Sequence, residues 1–288
     1  MKNKNKIILL LLVVVLLLGM TSCSTEAYEK PIGNESGLWE AIIRGLGWFT
    51  YQSSNLFGLL GDTYYYWLGL LIMTLVIRTL GWPIYAKTND LTIKMQLAQP
   101  ELTKVQEKYR NRKDQASQQR MQMETMEIYR RYKINILGCF MPLLQMPIFI
   151  AMYQVVRRFP LNGSEFFTKG EHAINTSFLW TDLGNESFWP NFPLALVVAV
   201  LMFLSQYLVQ KRSDAAKKHS GPQNPKAEQS QKTMKYFMYF MVVMMFFIAI
   251  TNAGIAFYWI IGTAYQIFQG YISHMGMDKK REKFRSKV

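Results

Sequence analysis

Apolar residues in this chain fall into long unbroken runs rather than into alternation. After an apolar N-terminus come four of them, at 64–85, 137–156, 188–209 and 234–272. A helix rising ~1.5 Å per residue crosses ~30 Å of hydrocarbon in about 20 residues, so each of the first three runs makes one span. The last run is too long for one. Thr251-Asn252-Ala253-Gly254 puts a polar, glycine-containing break in its middle. The pattern predicts an all-α integral membrane protein with five transmembrane helices, at 64–85, 137–156, 188–209, 234–250 and 255–271. Continuous runs argue against a β-barrel, whose strands alternate.

The stretches between the runs have characters of their own. Lys2, Lys4 and Lys6 followed by the apolar Ile7–Leu18 read as a signal segment. Leu17-Leu18-Gly19-Met20-Thr21-Ser22-Cys23 resembles a bacterial lipoprotein box, with Met20 an unusual choice within it. Residues 1–22 would then be a lipoprotein signal peptide that is removed, and Cys23 the lipidated first residue of the mature chain. Two acyl chains reach the threshold for stable anchoring. Within the anchored segment 23–63, residues 38–60 mix apolar side chains with Glu40, Arg44 and Gln52, as an amphipathic helix on the outer membrane surface does.

The 86–136 loop is the largest polar element. Leu91, Met95, Ala98, Leu102, Val105 and Tyr109 follow a spacing of four and three, a helical stripe within which Pro100 marks either a kink or a start. Asn111-Arg112-Lys113-Asp114 reads as a turn, and a second helix runs from Gln115 to Tyr132. Together they predict an antiparallel cytoplasmic helical hairpin. The loop 210–233, rich in Lys, Ser, Gln and Pro, reads as flexible.

Charge orients the spans. The formal net charge is +14, and Lys plus Arg number 2 in 23–63, 11 in 86–136, 3 in 157–192, 7 in 210–235 and 6 in 272–288. Rich and poor segments alternate as the positive-inside rule requires. The mature N-terminus and the 157–187 loop are therefore expected outside, and the hairpin, the 210–233 loop and the basic tail 272–288 inside.

Arg78 is the residue that this architecture does not explain. It lies inside the first run, nine residues before Lys87, or roughly 13 Å deep on a straight helix. A central arginine costs about 2.5–3.5 kcal/mol on insertion scales, which marks a functional site by default. The other apolar runs hold no Asp or Glu. The guanidinium is thus expected to face water held inside the protein and to attract an anion from elsewhere. Gln145 and Gln206 are expected to share that polar cavity, since an unsatisfied amide in hydrocarbon costs several kcal/mol. Gln266 reads equally well as interhelical glue. Tyr258 and Trp259 fall just after the turn, where wall and interfacial anchor are close readings. Met234, Met238, Met241 and Met245 form a stripe better read as packing than as a site for apolar clients.

Catalytic signals are absent. His172, His219 and His274 lie far apart outside the apolar cores, and there is no phosphate loop, metal-ligand cluster or nucleophile with a nearby base. No metal, cofactor or enzymatic activity is expected.

Specific residues carry a resemblance. The intramembrane Arg78, the charged hairpin after it, Leu137-Gly138-Cys139-Phe140-Met141-Pro142-Leu143-Leu144-Gln145-Met146-Pro147-Ile148, Ser177-Phe178-Leu179-Trp180-Thr181-Asp182-Leu183-Gly184 and Phe257-Tyr258-Trp259-Ile260-Ile261-Gly262 resemble the YidC/Oxa/Alb membrane protein insertases over roughly 60–275. The lipoprotein signal resembles the Gram-positive branch. The resemblance implies a hydrophilic groove open to cytoplasm and lipid but sealed outside. Arg78 would draw in acidic substrate tails, Gln145 and Gln206 would keep the groove wet, and Tyr258 and Trp259 would shape it. Implied partners are nascent membrane proteins, the Sec translocon, the ribosome through the cytoplasmic loops and tail, and anionic lipids. A channel or transporter for an anionic solute is the competing reading. It is weakened by the absence of inverted repeats and of intramembrane carboxylates.

Overall fold

A computed structural model describes residues 30–33, 37–112, 114–134, 141–160, 174–184, 186–217 and 225–275. The signal segment, Cys23 and the tail beyond Met275 lie outside them. Helix α1 (Leu38–Ser54) ends in a 3-10 turn at Leu56–Gly58, and β1 (Tyr64–Tyr65) leads into α2 (Tyr66–Leu80) and α3 (Trp82–Lys108). Then come α4 (Gln115–Arg131), α5 (Met141–Arg158), and the two-residue strands β2 (Ile174–Asn175), β3 (Ser177–Phe178) and β4 (Thr181–Asp182). Helices α6 (Phe188–Lys217), α7 (Pro225–Thr251) and α8 (Ala253–Met275) complete the chain. Strand β1 pairs parallel with β2, and β3 pairs antiparallel with β4.

Helix ends depart from the lengths of the apolar runs. The first run is not one helix: it is interrupted at Gly81, with a 48° bend between Tyr66–Leu80 and Trp82–Met95. The 210–233 segment, expected to be flexible, is largely helical, because α6 continues to Lys217 and α7 starts at Pro225. Among the described residues, Phe188–Lys211 alone is long and apolar enough to cross a membrane unaided, and the bent α2–α3 pair is a second span if taken together. The apolar part of α7, Lys235–Thr251, is shorter. In α8, Thr263, Tyr265, Gln266 and Gln269 interrupt the apolar face. The outward faces of α6 and α7 are nonetheless apolar: Val200, Phe203, Leu204, Phe237, Phe240, Val243 and Phe247 are exposed, while Asn191, Ser205 and Asn252 are buried. Apolar outside and polar inside is an arrangement for lipid rather than water.

The helices divide between two compact units. The first comprises the described parts of 1–80, 142–200 and 245–265. Here α1 packs on α2 through small residues: Gly47, Thr50, Ser53 and Ser54 are buried, and a Cβ on Gly69 would collide with the Thr50 carbonyl and the Ser54 hydroxyl. Such close backbone approach is how helices associate where lipid removes the hydrophobic drive. Tyr66 stacks on Phe159 with centroids 5.0 Å apart and donates a 3.0 Å hydrogen bond to the Val156 carbonyl.

The β3–β4 segment is fastened down by side-chain and backbone bonds. Asp182 accepts from Thr176 Oγ1 at 2.6 Å and from the Gly184 amide at 2.7 Å, which curls the loop so that Leu183 is buried. The Gly254 amide donates to the Leu183 carbonyl at 2.9 Å, and Asn191 Nδ2 donates to the Ile250 carbonyl at 3.1 Å. Asn252 separates α7 from α8 and caps the latter by accepting from the Ile255 amide at 3.0 Å.

The second unit comprises the described parts of 81–141, 201–244 and 266–288. Helix α3 runs through Pro100 without ending, and α3 and α4 form a hairpin around Ala98, Leu102, Val105, Tyr109, Ile128 and Ile134. Asp114 caps α4 by accepting from the Ser117 amide at 2.9 Å, a bond that holds its carboxyl below the usual range. Glu124 accepts from Lys108 at 2.6 Å and from the Tyr109 hydroxyl at 2.7 Å, and the lysine chiefly holds its carboxyl low as well.

Candidate functional site

Arg78 is half-buried in the last turn of α2. The helix breaks at Gly81 and restarts with Pro83 in the first turn of α3. Proline has no N–H, so the Thr79 carbonyl loses its i+4 donor. Carbonyls at a helix C-terminus carry partial negative charge and favour a nearby cation by about 0.3–1 kcal/mol. The break that divides the apolar run thus also offsets part of the cost of its arginine.

Helix α8 supplies the facing surface. Tyr258, Gly262 and Tyr265 recur at intervals of four and three, which places them on one face. Gly262 lies against the Arg78 guanidinium. Tyr258 is buried and within electrostatic reach of Arg78. The Tyr265 hydroxyl meets Thr79 Oγ1 at 2.8 Å. Because Thr79 already gives its hydroxyl hydrogen to the Leu75 carbonyl at 2.7 Å, Tyr265 is the donor of that pair. This hydrogen bond fixes the register of α2 against α8 beside the arginine.

The remaining predicted residues are distributed more widely. Trp259 is buried and stacks on Phe149 of α5, with centroids 6.5 Å apart and planes at 11°, so it packs α8 against α5. Gln206 is half-buried on α6 and belongs to the second unit, while the Gln145 side chain and Cys23 lie outside the described residues. Gln266 is exposed. Met238, Met241 and Met245 are half-buried on α7, whose fully exposed positions are mainly aromatic and valine. Among the described residues, no group of three His, Cys, Asp or Glu is placed to hold a metal ion.

Sequence reasoning missed a fully buried arginine. Arg158, at the end of α5, is 1% exposed. Its Nη1 pairs with Glu40 Oε1 at 2.9 Å and reaches Gln154 Oε1 at 3.4 Å. Its Nε donates to the Lys30 carbonyl at 2.9 Å and its Nη2 to that of Pro31 at 3.4 Å. Trp39 Nε1 adds a 3.3 Å bond to the same Gln154 oxygen. The constellation clamps α1 and the chain before it onto α5. The available signal was the Gln154–Arg158 spacing of one helical turn at the end of an apolar run.

Comparison with known proteins adds independent support. The family model described as "60Kd inner membrane protein" matches residues 58–280. The chain is similar to the membrane protein insertase YidC of Oceanobacillus iheyensis, at 32% identity over 98% of this chain and 100% of that one. It is likewise similar to the membrane protein insertase YidC 2 of Bacillus anthracis, at 33% over 89% of each. The membrane protein insertase MisCA of Bacillus subtilis matches at 32% over 74% of this chain and 71% of its own.

Proposed function

The chain belongs to the YidC/Oxa/Alb family of membrane protein insertases, and from that premise we propose that it inserts membrane proteins by using Arg78 to attract acidic substrate segments. The observation that carries this reading is a guanidinium half-buried in an apolar helix and set against a glycine on the facing helix. In a partly desolvated setting its attraction for a carboxylate exceeds that in bulk water, because the effective dielectric falls. The tail of the substrate is drawn partway across, and the substrate's own apolar helix then partitions into lipid and supplies the drive. No nucleotide and no catalytic chemistry are needed.

Further parts of the proposal rest on the sequence. Five spans would enclose a hydrophilic groove, with Gln145 and Gln206 keeping it wet and Tyr258 and Trp259 shaping its wall. The β3–β4 turn, tied to Gly254, suits an outer seal. The hairpin of α3 and α4 would lie in the cytoplasm and receive substrates first. The protein would be anchored outside through a lipid on Cys23 and would work alone or beside the Sec translocon. Ribosome and anionic lipids would meet the basic loops and tail.

The test is insertion into proteoliposomes of a single-span substrate with an acidic N-terminal tail, scored by protease protection. Arg78→Ala is expected to abolish insertion and Arg78→Lys to restore most of it. Insertion by Arg78→Ala at the wild-type level would overturn the electrostatic mechanism. Failure of the wild type to insert, together with flux of an anionic solute into the same vesicles, would favour the transporter reading.

A further inference from the structure

Glycine at 262 is not required by its own backbone, since it lies in the interior of α8, where glycine costs about 1 kcal/mol relative to alanine. Its reason lies across the helix interface. A Cβ built on Gly262 would sit 2.8 Å from Arg78 Nη2, 3.5 Å from Nε and 3.6 Å from Cζ. The nearest atoms to that position therefore all belong to one guanidinium. A contact of 2.8 Å is closer than packed side chains allow, and the atom that must give way is the end of the Arg78 side chain. The rest of the frame cannot follow it, because Thr79 and Tyr265 hold α2 and α8 together at 2.8 Å on the adjacent turn.

We propose that Gly262 is a positioning residue, a notch that sets where the Arg78 charge is presented and so determines how strongly the protein discriminates for acidic substrate tails. This rests on the insertase reading of Arg78. A side chain at 262 would keep the charge and move it. The effect would therefore be on selectivity for acidic tails rather than on the presence of the cation.

The experiment compares Gly262→Ala with wild type in proteoliposomes, using two substrates that differ only in whether the tail carries Asp or Asn, with thermal melting of each variant alongside. The ratio of acidic-tail to neutral-tail insertion is expected to fall by about tenfold, the attraction lost when a charge pair at an effective dielectric of about 20 widens from about 4 to about 6 Å. In the Arg78→Lys background the same change should have little further effect, since a compact ammonium on a flexible stem lacks the planar head that fills the notch. An unchanged ratio would overturn the proposal. So would an equal loss for both substrates, or a further tenfold loss when Gly262→Ala is added to Arg78→Lys. If Arg78→Ala itself retains the wild-type ratio, the reading of Arg78 fails instead, and the two failures are told apart.

Discussion

Among the arginines of the first unit, Arg78 and Arg158 are treated in opposite ways. Arg158 is sealed: Glu40 neutralises it, and Gln154 and the carbonyls of Lys30 and Pro31 take three more of its five donors. Arg78 is half-open, lodged between a helix C-terminus and a glycine, in apolar runs whose sequence holds no acid. A charge with a built-in carboxylate stabilises the fold that holds it. A charge placed in an apolar helix, with no acid in the neighbouring apolar runs, is the one that the proposed function assigns to a substrate carboxylate. Removing Arg158 should therefore damage the structure, and removing Arg78 the activity.

The largest expected effect is on the sealed side. Arg158→Ala leaves Glu40, 18% exposed, beside the carbonyl and amide oxygens that the guanidinium had bound. Breaking a buried pair from one side costs about 3–5 kcal/mol, and the partial exposure of Glu40 puts this one near the lower end. Unfolding in detergent should show that loss, and Arg158→Lys should recover only part of it, because an ammonium cannot reproduce the forked contacts. A variant as stable as wild type would mean the clamp is ornamental.

Next comes the helix contact that the clamp supports. Gly69→Ala must force the Thr50 carbonyl away, and overpacking against backbone costs about 1–3 kcal/mol. It should raise hydrogen exchange in α1 more than in α3 and α4. Tyr66→Phe should cost less, about 1–2 kcal/mol, by leaving the Val156 carbonyl without its donor. A neutral result in the same denaturation assay would show that another donor replaces it.

The smallest effect separates the α3–α4 hairpin from both arginines. Asp114 and Glu124 have carboxyls held below their usual range, so the stability they contribute is fully present above about pH 4. It is lost as pH falls through their lower folded values, when protonation removes the Ser117 cap and the Lys108 bond. Hydrogen exchange of α4 should rise on acidification below about pH 4, and Glu124→Gln should remove part of that dependence. Exchange that rises instead toward neutral pH would contradict the assignment.

How much of this was legible in the sequence depends on distance along the chain. The second helix of the hairpin was readable to within a residue, because the turn before it and its own polar pattern are local signals, whereas the first begins at Trp82, inside the run read as a span. The break before α8 was readable for the same reason: Asn252 both interrupts the apolar run and caps the next helix. Gly81 and Pro83 were local signals too, but a continuous apolar run outweighed them, and the bend was missed. Pairings between distant residues were not legible. Arg158 looked like a loop charge until Glu40, far away in sequence, closed on it. The amphipathic reading of α1 attended to its large apolar residues. Leu38, Ile42 and Trp48 in fact face outward, and small polar residues make the contact with α2. A lipid environment inverts that expectation. Gly262 could not be interpreted at all until Arg78 was seen beside it.

The most direct test places both arginines in one assay: melting temperature and acidic-tail insertion per folded molecule, measured for Arg78→Ala and Arg158→Ala in the same liposomes. The expected result is that Arg78→Ala melts with wild type and fails to insert, whereas Arg158→Ala melts lower and inserts normally for each molecule still folded. If Arg78→Ala loses stability as Arg158→Ala does and its folded fraction inserts normally, the open arginine is structural and the central claim is wrong.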